Sequence, residues 1–366
     1  MSDGAPPAAD EAAIAGRPTG ARVICPYHEV RAAAKDPATF SSDLQGDPDV
    51  RDYRQLPLEV DPPAHGAYRA LLLPFFGRVE VAAMEPGFRA AARDVVRRFA
   101  QAGRADAVHD LAFEMVLRSL AVAFRRDADL DEWRRWGIET WVTRPDGTRD
   151  GTHLDRYHDR GSAEAQPDPA GAVFARLAAA RLDGRPLEAG EFRGLASLVL
   201  AGGRDTVIKL LAGATWHLAS HPRDRDALAA DPSRLPTAIE EWLRWISPLP
   251  RMRRVARREA RTDAGPVAPG DDVVLDFLAA NHDPAVFDAP HELRLDRAPN
   301  RHVAFGQGPH TCVGAHLAKV EARIFLEELL AAAPRLALDG EPEIGWEFVH
   351  GARVANVFRR VPVRTG

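Results

Sequence analysis

FGQGPHTCVGAHLA, residues 305–318, contains Cys312, one of only two cysteines in a chain of 366 residues. Gly306, Gly308 and Gly314 surround it, His310 stands two positions before it, and a helical pattern starts directly after. A buried cysteine that merely packs behaves as a small hydrophobe and needs no such setting. Glycines permit tight backbone and close approach of a bulky group. The start of a helix favours a thiolate through its unpaired N–H groups and dipole. The stretch therefore suits a cysteine kept as an anion and pointed at a ligand.

The rest of the chain bounds what that ligand serves. Composition is 45% hydrophobic and 28% charged, as in a water-soluble globular protein with a large core. A net charge of −5 without blocks of like charge argues against nucleic acid. Two cysteines so far apart make no disulfide framework and suit a reducing cytoplasm. Cys25 shares a C-x-x-H spacing with His28 in CPYH, but zinc would need a second ligand pair. No apolar run reaches the ~18 residues of a membrane span. The first 21 residues lack the basic and apolar regions of a secretion signal, and their Ala, Pro and Gly content predicts a disordered tail.

Apolar residues recur at three- and four-residue spacing over 65–76, 82–102, 106–124, 130–142, 169–182, 188–221, 234–246 and 313–333, which predicts helices. A short strand and a helix are expected within 22–42, then a long loop over 43–64. Strand signals are limited to 255–256, 273–275 and 353–363. Residues 143–168 hold almost no aliphatic side chains and read as a mobile surface loop. The fold class is mainly α with a small β part, as one domain over 22–366.

Three further constellations carry chemistry. In LVLAGGRDTVIKLL (198–211), Gly202 and Gly203 cost a helix about 1 kcal/mol each relative to alanine. Either they turn the chain between two helices, or the helix passes a large flat group with Asp205 and Thr206 facing it. The Thr206 hydroxyl could then bond the Gly202 carbonyl and open the helix. In AIEEWLRWISP, Glu241 and Arg244 lie on one helix face; alone, such a pair is an ordinary surface contact. In DPPAHGAYR, His65 and Arg69 are neighbours at a helix start, able to donate to an anion or simply to face solvent.

In order and spacing these segments resemble the cytochrome P-450 family of haem-thiolate monooxygenases. Phe305, Gly306, Gly308, His310, Cys312 and Gly314 fill the family's F-G-x-G-x-H-x-C-x-G loop. Glu241 and Arg244 match its E-x-x-R helix, and Arg297 the third member of that charge cluster. Gly202, Gly203, Asp205 and Thr206 match its oxygen-activating helix. DPPAHGAYR looks like its H-x-x-x-R helix start.

The resemblance implies the cytochrome P-450 fold and a haem b cofactor with Cys312 as axial iron ligand, whose electron donation favours O–O cleavage. It assigns the haem propionates to His65, Arg69, His310 and an arginine among Arg251, Arg253 and Arg254, of which Arg254 fits best. It places Phe305 and Gly306 against the cofactor. It gives Asp205 and Thr206 the delivery of protons to bound oxygen, with Arg204 paired to an acid elsewhere.

The implied reaction inserts one oxygen atom from O2 into a small organic substrate. Electrons come from a separate ferredoxin or flavodoxin, docked against cations such as Lys319, Arg323 and Arg301. A peroxygenase and a non-catalytic haem sensor are the alternatives. The expected protein is a cytoplasmic monomer with no membrane or nucleic-acid partner. The stretch between 142 and 169 is shorter than the family's usual pair of lid helices.

Overall fold

The computed structural model describes residues 20–43, 53–138, 142–143 and 149–366, so most of the expected tail and residues 44–52 of the expected loop lie outside it. In chain order the helices are α1 (Tyr27–Ala34), α2 (Ala64–Leu72), α3 (Arg78–Ala102), α4 (Glu114–Phe124) and α5 (Leu130–Arg135). They continue with α6 (Thr152–Glu164), α7 (Val173–Ala179), α8 (Ala189–Gly202) and α9 (Asp205–Ser220). The last are α10 (Pro222–Ala230), α11 (Leu235–Ile246), α12 (Phe277–Asn281) and α13 (Ala315–Ala332). No helix among them is long and apolar enough to cross a membrane.

α9 runs through the main core, with Val207, Ile208, Leu210, Leu211 and Leu218 all buried. Packed on or near it are α11, α13 and the hairpin of Glu343–Val349 with Ala352–Arg360, while α3 lies along α13. Buried side chains such as Trp242, Phe325 and Phe88 each contribute about 1.5–3 kcal/mol of apolar burial.

A second, smaller core is made from two distant parts of the chain. Ile24, Tyr27, Val30 and Ala34 pack against Val273, Leu275, Phe287 and Val303. Its sheet has the strand order Arg22–Ile24, Asp272–Asp276, Arg251–Ala256, Phe40–Ser41. The first pair is parallel and the others antiparallel. Alternation along Arg251–Ala256 turns Arg254 and Ala256 inward and leaves Arg253 exposed.

The expected helix over 188–221 is two helices, interrupted at Gly203 and Arg204. The region expected as a mobile loop contains α6, whose buried residues Leu154, Tyr157, His158 and Gly161 keep helical spacing. Apart from Leu154 that face is aromatic, imidazole and glycine, so a search for a repeat of Leu, Ile and Val passes over it. The predicted helix over 130–142 stops at Arg135, and α10 and α12 have no counterpart among the predicted helices.

Candidate haem-thiolate site

Gly306 and Gly308 both have φ of +71°, in the left-handed region that side chains avoid. Gly308 is further constrained: a Cβ there would lie 2.4 Å from the Ala34 carbonyl oxygen of α1. The loop closes on itself, with Cys312 N–H donating to the Phe305 carbonyl at 2.8 Å and Thr311 Oγ1 to the Gly308 carbonyl at 2.8 Å. Gly314 then caps α13.

Burial pushes the Cys312 thiol up, while the N–H groups of Gly314 and Ala315 and the charge of Arg69 pull it down. Its side chain is nevertheless accessible. A sulfur facing a recess within the protein, rather than the outer surface, satisfies both observations.

Beside it lies an excess of basic groups. The rings of His65 and His310 are 4.4 Å apart at 66°, and both Nε2 atoms are buried without a hydrogen-bond partner among the described residues. Arg254 is 4% exposed and, among the described residues, its guanidinium donates only to the Arg253 carbonyl, at 2.7 Å. Its neighbours are already engaged, Arg251 by Asp276 and Glu347 and Arg253 by Asp272. Burial, then Arg254, then His65 drive His310 down to about 3. Burial and Arg69 lower His65. Asp61 acts on this group electrostatically, but its oxygens already accept from Ser41 Oγ and the Ser42 N–H. Orphaned imidazole nitrogens beside a buried guanidinium are what an anionic ligand would answer.

Glu241, Arg244 and Arg297 meet in a buried network. Arg244 grips the Glu241 carboxylate with Nε at 2.8 Å and Nη2 at 2.7 Å, and Arg297 Nε reaches both oxygens at 3.1 Å. The remaining donors hold carbonyls: Arg244 those of Asn281, Pro290 and Glu292, and Arg297 those of Asp288, Ala289 and Glu292. The Arg294 N–H and Asn300 Nδ2 also donate to Glu241. Those two contributors carry no motif signal in the sequence. The network joins α11 to the irregular segment leading to the cysteine loop.

At the α8–α9 interruption, Thr206 Oγ1 donates to the Gly202 carbonyl at 3.2 Å. A side chain at Gly202 would meet only Leu198 Cδ1, at 3.6 Å, so this face is open.

Comparison with known proteins settles the family. The Cytochrome P450 family profile matches residues 233–332. A probable cytochrome P450 127A1 of Sinorhizobium fredii is 32% identical over 357 residues, covering 92% of this chain and 82% of that one. The chain belongs to the cytochrome P450 family. Erythromycin C-12 hydroxylase of Saccharopolyspora erythraea is 30% identical, over 93% of this chain and 88% of the relative. The structure of a carbohydrate active P450 aligns with a TM-score of 0.84 at 30% identity, covering 93% of this chain and 91% of that one.

This cytochrome P450 is thus an oxidoreductase of the monooxygenase class with a small-sheet, mainly helical fold, and its family uses a haem-thiolate cofactor. The residues present fit that group: an accessible thiol for a metal, and unpartnered donors for its carboxylates. Two expectations need correcting. Among the described residues Arg204 pairs with no acid; its Nη2 donates to the carbonyls of Trp133 and Gly137. The cations of α13 are not free either: Lys319 pairs with Glu240, and Arg323 with Glu85 and Glu327.

Proposed function

We propose that residues 22–366 form one catalytic domain that inserts an oxygen atom from O2 into a small organic substrate. Haem b would be held through Cys312, with a separate ferredoxin or flavodoxin supplying electrons. The observation that carries this reading is the cysteine loop standing beside four basic groups that, among the described residues, form no ion pair, the nearby Asp61 being engaged by Ser41 and Ser42. When bound, the haem supplies the iron at which dioxygen is activated.

The chain's own residues do the rest. Cys312 donates the thiolate, and the N–H groups of Gly314 and Ala315 moderate its basicity. His65, Arg69, Arg254 and His310 would hold the haem propionates, which would relieve the repulsion among these bases. Phe305 and Gly306 would contact the haem. Thr206, whose proton is committed to the Gly202 carbonyl, keeps its oxygen lone pairs free to accept from a water. Asp205, in the first turn of α9, relays protons to that water. Glu241, Arg244 and Arg297 keep the cysteine loop's approach rigid.

The relatives' names point to chemically different substrates, an erythromycin and a steroid, so the class stays at small organic molecules. Residues 247–252 are the proposed pocket wall. The proposed setting is a cytoplasmic monomer.

The test is spectroscopic and then kinetic. Reduced protein with CO should give the absorbance of thiolate-ligated haem. Turnover of a compound that shifts the haem spin state should require NAD(P)H with a redox partner. Turnover by peroxide alone would make the protein a peroxygenase, and spectral binding with no turnover a sensor.

A further inference from the structure

Arg204 is fully buried on the distal helix pair, in a position where packing alone would be served by an apolar side chain. It occupies the interruption itself, with φ −104° and ψ −79°, between the end of α8 at Gly202 and the start of α9 at Asp205. Its guanidinium leaves this break for α5. Nη2 donates to the Trp133 carbonyl at 3.0 Å and to that of Gly137. The rings of Phe113 and Trp136 flank it, 5.4 and 6.0 Å from the guanidinium carbon. Nε and Nη1 have no partner among the described residues. Burial lowers its basicity to about 10, Asp205 acting in the opposite sense.

Burying a cation without a carboxylate is costly, and its geometry is held by the few groups that solvate it. The Trp133 carbonyl is one of the last four of α5, which have no partner within the helix. The last turn of α5 is already docked on α4 through Arg134 and Glu114, and the Arg204 side chain links that docked turn to the two-residue gap in the distal helix. Asp205 and Thr206 directly follow that gap.

We infer that Arg204 is a positioning residue that ties the α8–α9 break to the end of α5, so that Asp205 and Thr206 deliver protons correctly only while α5 stays docked. This rests on the proposed role of Asp205 and Thr206. Loss of the tie lets the break swivel, and the reaction then leaks peroxide instead of forming product.

The experiment uses the haem-loaded full chain as parent, Arg204→Leu, Arg204→Lys and Thr206→Ala. Hydrogen exchange at residues 130–138 reads the tie without reference to catalysis. In Arg204→Leu it should quicken by roughly tenfold or more, the equivalent of one hydrogen bond to a charged group. Product per NAD(P)H should fall and peroxide rise, while the CO spectrum is kept. Arg204→Lys, still cationic and able to reach one carbonyl, should recover most of the coupling, which a purely space-filling role would not allow. Unchanged exchange in Arg204→Leu overturns the tie. Normal coupling there, when Thr206→Ala is uncoupled, overturns the positioning role. Normal coupling in Thr206→Ala instead removes the proposed role of that pair. Should Arg204→Leu fail to hold haem, the neutral Arg204→Gln decides: faster exchange at 130–138 with uncoupling supports the inference, and parental values of both refute it.

Discussion

Glu241→Ala tests whether the charged network holds the site together. The substitution removes a fully buried carboxylate and leaves two guanidiniums, 0% and 7% exposed, with no counter-charge. Breaking a buried pair costs about 3–5 kcal/mol. Here the value belongs at the upper end, since the Arg294 N–H and Asn300 amide lose their acceptor in the same step. Against a total stability of ~5–15 kcal/mol, that is a third or more of the fold. At ~2 °C per kcal/mol for a large chain, the melting temperature should drop by roughly 6–10 °C. Arg244→Leu should cost at least as much, because the carbonyls of Asn281 and Pro290 lose their guanidinium donor with it, that of Glu292 keeping Arg297. The assay is thermal unfolding at one fixed scan rate, with haem content from the CO spectrum. A Glu241→Ala protein melting within about 2 °C of the parent with full haem would refute the reasoning, since even one lost hydrogen bond to a charge costs that much.

Three further outcomes are expected. Cys312→Ala should abolish the thiolate-type CO spectrum while Cys25→Ala leaves it intact; the reverse pattern would move the site. Thr206→Ala should still consume NAD(P)H but release more peroxide, and an unchanged ratio of product to NAD(P)H would count against a water held there. Glu321 of α13 is buried, and desolvation pushes its carboxyl up to about 8 from an ordinary 4.5. Between those values the folded chain keeps a proton that the unfolded chain has released, so stability falls as pH rises. Glu321→Gln should therefore flatten unfolding free energy against pH in that window, by up to about 1.4 kcal/mol per unit; identical slopes in both proteins would refute this.

The cysteine loop was legible because its chemistry favours particular residues: side chains seldom adopt the φ of Gly306 and Gly308, and a Cβ at Gly308 would strike the Ala34 carbonyl. The E-x-x-R pair was readable only in company, since spacing alone does not distinguish a buried Glu241–Arg244 pair from a solvated one. What stayed hidden depends on long-range packing. Asn300 and Arg294 join the network through an amide group and a backbone N–H that occur everywhere. α6 buries Tyr157, His158 and Gly161 against aromatic neighbours, a face that an aliphatic pattern cannot reveal. Arg204 was expected to seek a carboxylate. Helix-end carbonyls and ring faces solvate it instead, and those carry no sequence signature.

The smaller core has a consequence for how the protein is made. Tyr27 donates its hydroxyl to the Arg301 carbonyl, 274 positions further along the chain, and α1 supplies the surface against which Gly308 is pressed. At ~5–20 residues per second, a ribosome delivers that partner roughly 15–55 s after α1 has emerged. Throughout that interval Ile24, Tyr27, Val30 and Phe40 have none of their later neighbours from residues 256–303. The N-terminal segment therefore waits without its packing partners, too short to hold its helix alone and with its apolar side chains uncovered. The seat of the cysteine loop can be completed only when synthesis is nearly finished, which places cofactor capture at the end of biogenesis rather than during it.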